Sequence, residues 1–132
     1  MSERISTVRS ALLGLTGLAC VLYALGVLVT GQVDPVPWYV PGALGLFSAL
    51  AITVTALLSG RRATEAATDE LYRLVRDRAE RQAYWLSMAL FVGVAVAARA
   101  GLVGWEQGFV VLGCLMGASF LLLFVWHDLR MR

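Results

Sequence analysis

Residues 68–85, TDELYRLVRDRAERQAYW, are the one stretch of this 132-residue chain where charged side chains crowd together. Apolar residues recur through it at Leu71, Leu74, Val75, Ala79 and Ala83, which is helical spacing, and no Gly or Pro intervenes before Gly93. Thr68 is a good N-cap. Asp69 and Glu70 follow in the first turn and Arg76, Arg78 and Arg81 come later, the order favoured by the helix macrodipole. Asp69–Arg73 and Asp77–Arg81 stand four residues apart with the acid first, and such pairs contribute about 0.2–0.5 kcal/mol each. The stretch therefore predicts a polar helix over residues 68–82 that continues into an apolar one without a break.

Working outward, apolar runs lie on both sides. Residues 11–29, 40–59, 83–98 and 108–126 contain no Asp, Glu, Lys, Arg or His. A helix of about 19 residues is roughly 28 Å long, close to the ~30 Å hydrocarbon core of a bilayer. The third run is the shortest, and it reaches span length by continuing to about residue 104 with Arg99 snorkelling to the interface. With 59% hydrophobic and 15% charged residues, the composition lies well outside that of soluble domains. The first run is too long for a signal-peptide core and is expected to be retained as a span. Asp34-Pro35 and Pro37 punctuate the first connection, and Pro41 suits the first turn of the second span. The expected fold is all-α: one integral-membrane four-helix bundle of two helical hairpins, with spans at 11–29, 40–59, 83–104 and 108–126.

The arginines orient it. With the N-terminus inside, ten of the eleven (Arg4, Arg9, Arg61, Arg62, Arg73, Arg76, Arg78, Arg81, Arg130 and Arg132) fall on the inner side, and Arg99 alone falls outside. By the positive-inside rule both termini and the central connection are cytoplasmic, so span three is extended into the cytoplasm by the polar helix. Trp38 and Trp105 then mark the outer interface, and Trp85 and Trp126 the inner one. The expected location is the cytoplasmic membrane, crossed several times, with the lipid bilayer as the first partner.

The same residues argue against several functions. Ionisable groups within a bilayer mark proton relays and substrate paths, and the four runs hold none, which disfavours a proton-coupled pump. His127 beside Asp128 has no second ligand for a metal, and a His in a last helical turn complements the dipole. No catalytic, cofactor-binding or metal site is expected. Cys20 and Cys114 lie inside apolar runs and read as reduced, structural cysteines. A net charge of +2 gives no ground for a nucleic-acid partner. Small-residue rows at Ala89, Gly93 and Ala97, and at Gly113 and Gly117, are candidates for helix packing within the chain or in a homodimer.

What remains is the polar helix. Asp69, Glu70, Leu71, Leu74, Val75 and Arg78 are the candidate contacts for a cytosolic or membrane protein partner, giving a structural or regulatory interaction protein. The alternative is an oligomeric small channel or transporter without a membrane-embedded ionisable residue. The pattern Asp69-Glu70, Val75, Arg78-Ala79 and Ala83-Tyr84 resembles the loop signature of an uncharacterised family of small prokaryotic four-span membrane proteins, roughly D-E-R-x3-I-x2-[KR]-A-x3-A-[FY] between spans two and three. Leu71 stands where that family has Arg, and Val75 where it has Ile. The match covers residues 69–84 and the general layout. The resemblance implies a membrane protein without an assigned activity; some members are encoded beside helix-turn-helix regulators, which implies a sensing or regulatory role. It carries over no catalytic residue.

Overall fold

The computed structural model describes residues 2–37, 39–59 and 70–131. Four helices follow one another: α1 Ser2–Thr30, α2 Tyr39–Ser59, α3 Glu70–Arg99 and α4 Trp105–Arg130. α3 carries the charged stretch and the third apolar run in one uninterrupted helix. Thr68 and Asp69, the expected partner of Arg73, lie outside the described residues. α1 begins well before its apolar run, because residues 2–10 contain no Gly or Pro to stop a helix. α3 ends earlier than the expected residue 104. Gly101, at φ +74°, turns the chain in the left-handed region that glycine adopts without strain. Its N–H donates to Ala98 O (3.1 Å) and that of Leu102 to Ala97 O (3.0 Å), a Schellman closure. Arg99 thereby sits in the last turn of α3, where a cation complements the helix dipole.

The centre of the structure is the antiparallel seam between α1 and α4. Along α1, Ser10, Gly17, Ala24 and Gly31 recur every seven residues; along α4, Gln107, Cys114, Leu121 and Asp128 do the same. Each small residue of the first set meets the second in reverse order. Ser10 Oγ donates to Asp128 Oδ2 at 2.5 Å. A Cβ on Gly17 would stand 3.3 Å from Leu121 Cβ and 3.0 Å from Leu122 Cγ, tighter than ordinary contact, so the absence of a side chain lets the helices approach this closely without displacing either leucine. Ala24 and Val27 are buried with Val111, and Cys114 packs against that cluster. At the far end Gln107 Nε2 donates to Gly31 O. A seven-residue recurrence keeps one stripe facing its neighbour over the full length of two helices that cross at a shallow angle.

Gln107 also starts α4. Gly104, the N-cap, has no side chain to offer, and its own N–H donates to Gln107 Oε1 at 3.3 Å. One amide thus serves the beginning of α4 with its oxygen and the end of α1 with its nitrogen.

The other helices attach to this pair. α3 packs on α4, with Val94 against Gly108 at one end and Val75 and Ala79 against Phe124 at the other. α2 packs on α1 through a hydroxyl pair, Thr16 Oγ1 and Ser48 Oγ at 2.7 Å. Thr16 donates to Leu12 O, so Ser48 supplies the proton of the pair. The spatial order is α2, α1, α4, α3, and among the described residues no comparable seam joins α2 to α3. The two expected hairpins, α1–α2 and α3–α4, lie side by side and join through α1 and α4.

Large apolar side chains such as Leu15, Leu22, Phe47, Leu58, Val92 and Phe109 face outward. The interior holds mostly small groups, Ala24, Ala79, Ala83, Ala98 and Ala118 and the hydroxyls of Ser10, Thr16, Ser48, Ser87 and Ser119, with Val27, Val75, Val111 and Phe124 as its larger members. This inverts a soluble protein, and it is the pattern of helices that associate in lipid by close approach of small residues. α1 over Ser6–Thr30, α3 and α4 are each long and apolar enough to cross a membrane. The described apolar stretch of α2, Gly42–Thr55, is shorter.

The seam makes Gly17 and Gly113 unequal. Gly17→Val forces Leu122 aside and is expected to lower stability by about 1–3 kcal/mol. Gly113→Val adds side chain into open space and should stay within about 0.5 kcal/mol of the parent. Reversible unfolding in mixed micelles measures both.

Candidate functional site

The start of α1, the start of α3 and the end of α4 meet at one end of the molecule, and the strongest polar chemistry of the described residues lies there. Arg9 and Asp128 approach to 3.7 Å, with side chains only 12% and 10% exposed. The second carboxylate oxygen takes the Ser10 hydrogen bond, and that hydroxyl also stands 3.0 Å from Ser6 O. It has one proton, and the charged acceptor binds it more strongly. The guanidinium lies over the ring of Tyr72, 4.4 Å from its centroid, and within 5.4 Å of that of Phe124. The two rings meet edge to face, with centroids 5.6 Å apart.

Removing an ion pair from water carries a desolvation cost that its attraction offsets only when other groups complete the site. Here a hydroxyl binds the carboxylate and two aromatic faces lie against the guanidinium, whose buried Nε finds no hydrogen-bond acceptor among the described residues. Around them Val75, Ala79 and Phe124 form a buried cluster with Leu13, Tyr72, Phe120, Leu123 and Met131. The charged stretch therefore does not stand away from the membrane helices. Its inward side is held against the ends of α1 and α4.

His127 and Asp128 are adjacent in sequence but point to different partners. His127 Nε2 meets Gln82 Oε1 at 2.8 Å; the amide oxygen accepts, so Nε2 carries the proton. Asp128 faces α1 instead, and the two side chains do not form a dyad.

Of the residues expected to bind a partner, Asp69 lies outside the described residues. Glu70, Leu71, Leu74 and Arg78 are exposed. Val75 is not available: it is 1% exposed and belongs to the core with Ala79 and Phe124. Its position three residues from Tyr72 and four from Ala79 makes it part of the apolar stripe that α4 covers. Among the described residues Arg76 and Glu80 form an ion pair on this helix, at 2.7 Å between exposed side chains. Glu80 raises the Arg76 pKa above its usual value, first through the hydrogen bond and then through its charge.

The expected packing rows fare differently from the seam. Ala89 and Gly93 on α3 and Gly113 and Gly117 on α4 are exposed, and Ala97 is half-buried. A Cβ on Gly93, Gly113 or Gly117 would meet nothing within 4 Å. Gly113 and Gly117 each precede by one residue a position that faces α1 or the core, Cys114 and Ala118, and so are turned about 100° away from it. Packing within the chain falls to Gly17 and Gly108 instead. Cys20 and Cys114 are free, half-buried thiols. No group of three potential metal ligands occurs among the described residues.

Arg9, Ser10, Gln107 and Asp128 are the residues that reading along the chain misses. Ser10 and Asp128 are 118 positions apart, and only the matched seven-residue recurrences along the first and last apolar runs signal that they meet. The chain matches no protein-family model, no curated protein and no solved structure.

The buried pair has a direct thermodynamic signature. Asp128→Leu alone leaves the Arg9 charge without its carboxylate and is expected to cost about 3–5 kcal/mol. Arg9→Met combined with Asp128→Leu should recover most of that loss. Unfolding of the two single variants and the double variant in micelles measures the coupling; strictly additive losses would contradict a shared site.

Proposed function

We propose that this chain is a four-span membrane protein of the structural or regulatory interaction kind, which engages a protein partner through one exposed flank of α3. The observation that carries this reading is the division of that helix. Val75 and Ala79 are locked in the core, while Leu71 and Leu74 remain 45% and 49% exposed beside Arg78. Residues 71, 74 and 78 share one side of a helix, and Glu70 borders them. Two neighbouring leucines with a guanidinium next to them make an apolar contact with a charged rim, the composition of a protein-binding patch.

The topology supports placing that flank in the cytoplasm. Arg9, Arg73, Arg76, Arg78, Arg81 and Arg130 gather at the end where α1 and α3 begin and α4 finishes, and Arg99 lies at the other. α2, at 21 residues, is about 31 Å long and completes the fourth crossing. The resemblance to the uncharacterised prokaryotic family agrees with a cytoplasmic-membrane location and a regulatory role. Of its signature positions, Val75, Ala79 and Ala83 are buried and Glu70 and Arg78 are exposed. The motif thus combines residues that hold α3 to its neighbours with residues left for another molecule.

Leu71→Ser with Leu74→Ser alters the flank without opening the core. Photo-crosslinking from position 78, in membranes holding parent or double variant, is expected to lose at least one protein adduct; the same adducts at the same yield would sink the proposal.

A second reading, the oligomeric channel or transporter, draws on the outward-facing Gly93, Gly113 and Gly117, which let another copy approach closely. It requires a stable oligomer in nanodiscs and solute flux in liposomes. A monomer with no flux removes it.

A further inference from the structure

The connection between α1 and α2 does not loop away from the molecule. It folds back along α1, so that Pro35 Cγ lies 3.5 Å from where a Cβ on Gly26 would be, a full turn before the helix ends at Thr30. Between this segment and the two helices is an open cleft of about 300 Å³. Its walls include Ala19, Leu22 and Gly26 of α1, Val36 of the connection, and Val40 and Leu44 of α2. Among the described residues the lining is almost wholly apolar. The exception is Tyr23, whose hydroxyl is 3.4 Å from both Asp34 Oδ1 and Val36 O. Hydroxyl hydrogen bonds are normally 2.7–2.8 Å, so the phenol is loosely shared between the two acceptors. Asp34 does not itself line the cleft but stands exposed beside it, next to Pro35 and in reach of the Tyr23 hydroxyl, and among the described residues it has no cationic partner.

An apolar cleft with one carboxylate at its mouth selects by two criteria at once. The walls favour an alkyl chain or comparable apolar body. The carboxylate favours a cation, and an ammonium can keep an N–H donor on Asp34 while its chain leaves water. The volume is at the small end for a ligand site, which suits a single chain better than a polycyclic body. We propose that the α1–α2 cleft binds an amphiphilic ammonium cation, with its chain along Leu22, Val40 and Leu44 and its ammonium at Asp34. Neither the Leu71–Leu74 flank nor the Arg9–Asp128 cluster takes part, so this site is independent of the reading given above. Two sources offer the same chemistry: the amine headgroup of a phosphatidylethanolamine in the surrounding bilayer, or a free lipophilic amine.

Full-length protein in phosphatidylglycerol nanodiscs, with labelled Leu and Val methyls, provides the test. Dodecylammonium is expected to shift Leu22, Val36, Val40 and Leu44 saturably, and dodecanol to bind at least tenfold more weakly. Asp34→Asn should weaken dodecylammonium about tenfold, and Ala19→Phe, which fills the cleft on the side of α1 away from α4, should abolish the shifts. Methyls of the α1–α4 seam report whether each variant keeps the fold. Phosphatidylethanolamine added to the discs competes with dodecylammonium if the lipid is the occupant and leaves its affinity unchanged if a free amine is; either result supports the site and assigns its source. Equal binding of dodecanol and dodecylammonium, or an affinity untouched by Asp34→Asn in a folded protein, would overturn the proposal.

Discussion

Close approach of α1 to α4 is the constraint on which the other contacts depend. Gly17 brings the two helices together so closely that a Cβ there would press on Leu121 and Leu122. Once they are that close, groups at both ends of the seam fall within hydrogen-bonding reach: Ser10 and Asp128 at one end, Gly31 and Gln107 at the other. The two ends work differently. The Gln107 clasp joins helix termini, whose backbone groups otherwise lack partners. The Asp128 clasp joins side chains and brings with it a buried charge, so a third helix is needed to complete it. Tyr72 of α3 supplies that completion, which couples the position of the charged stretch to the seam.

This coupling explains how a polar helix is made part of a membrane core. The first turns of α3 carry more charge than any other segment, yet one side of them is as well packed as any position in the chain: Val75 is 1% exposed and Ala79 fully buried. Arg9 is the reason this is possible. Its guanidinium satisfies Asp128 and at the same time presents a flat cationic face to two aromatic rings, so charge and apolar surface pack together. The opposite flank of α3 is left with leucines that no other described part of the chain covers.

Much of this was legible beforehand and some was not, for physical reasons. Charge-free runs and helical spacing locate four helices, and the absence of Gly or Pro between residues 68 and 93 marks α3 as continuous. Helix ends were harder to place. The apolar run 83–98 says nothing about where α3 stops, whereas Gly101 at positive φ does, and a glycine in a sequence does not announce its φ. Small-residue rows at four-residue spacing drew attention to Gly93, Gly113 and Gly117, but α1 and α4 meet through a seven-residue recurrence, and these glycines lie off it. Val75 belongs to the core for a reason the sequence does not carry: on an isolated amphipathic stretch the side that docks within the chain and the side left for a partner look alike. Arg9–Asp128 and Gln107–Gly31 pair residues too distant in sequence for local patterns to connect.

The register of the α1–α4 seam is the central claim, and disulfide trapping in native membranes measures it most directly. In a Cys20→Ser background, Ala24→Cys should oxidise rapidly and within one chain to Cys114, because both lie on the same level of the seam. Placing the second thiol one turn away, with Ala118→Cys and Cys114→Ser, should give little product, since Cα atoms more than about 7 Å apart are not bridged. Equal trapping at both positions, or a bond formed only between two chains, would contradict the seam described here.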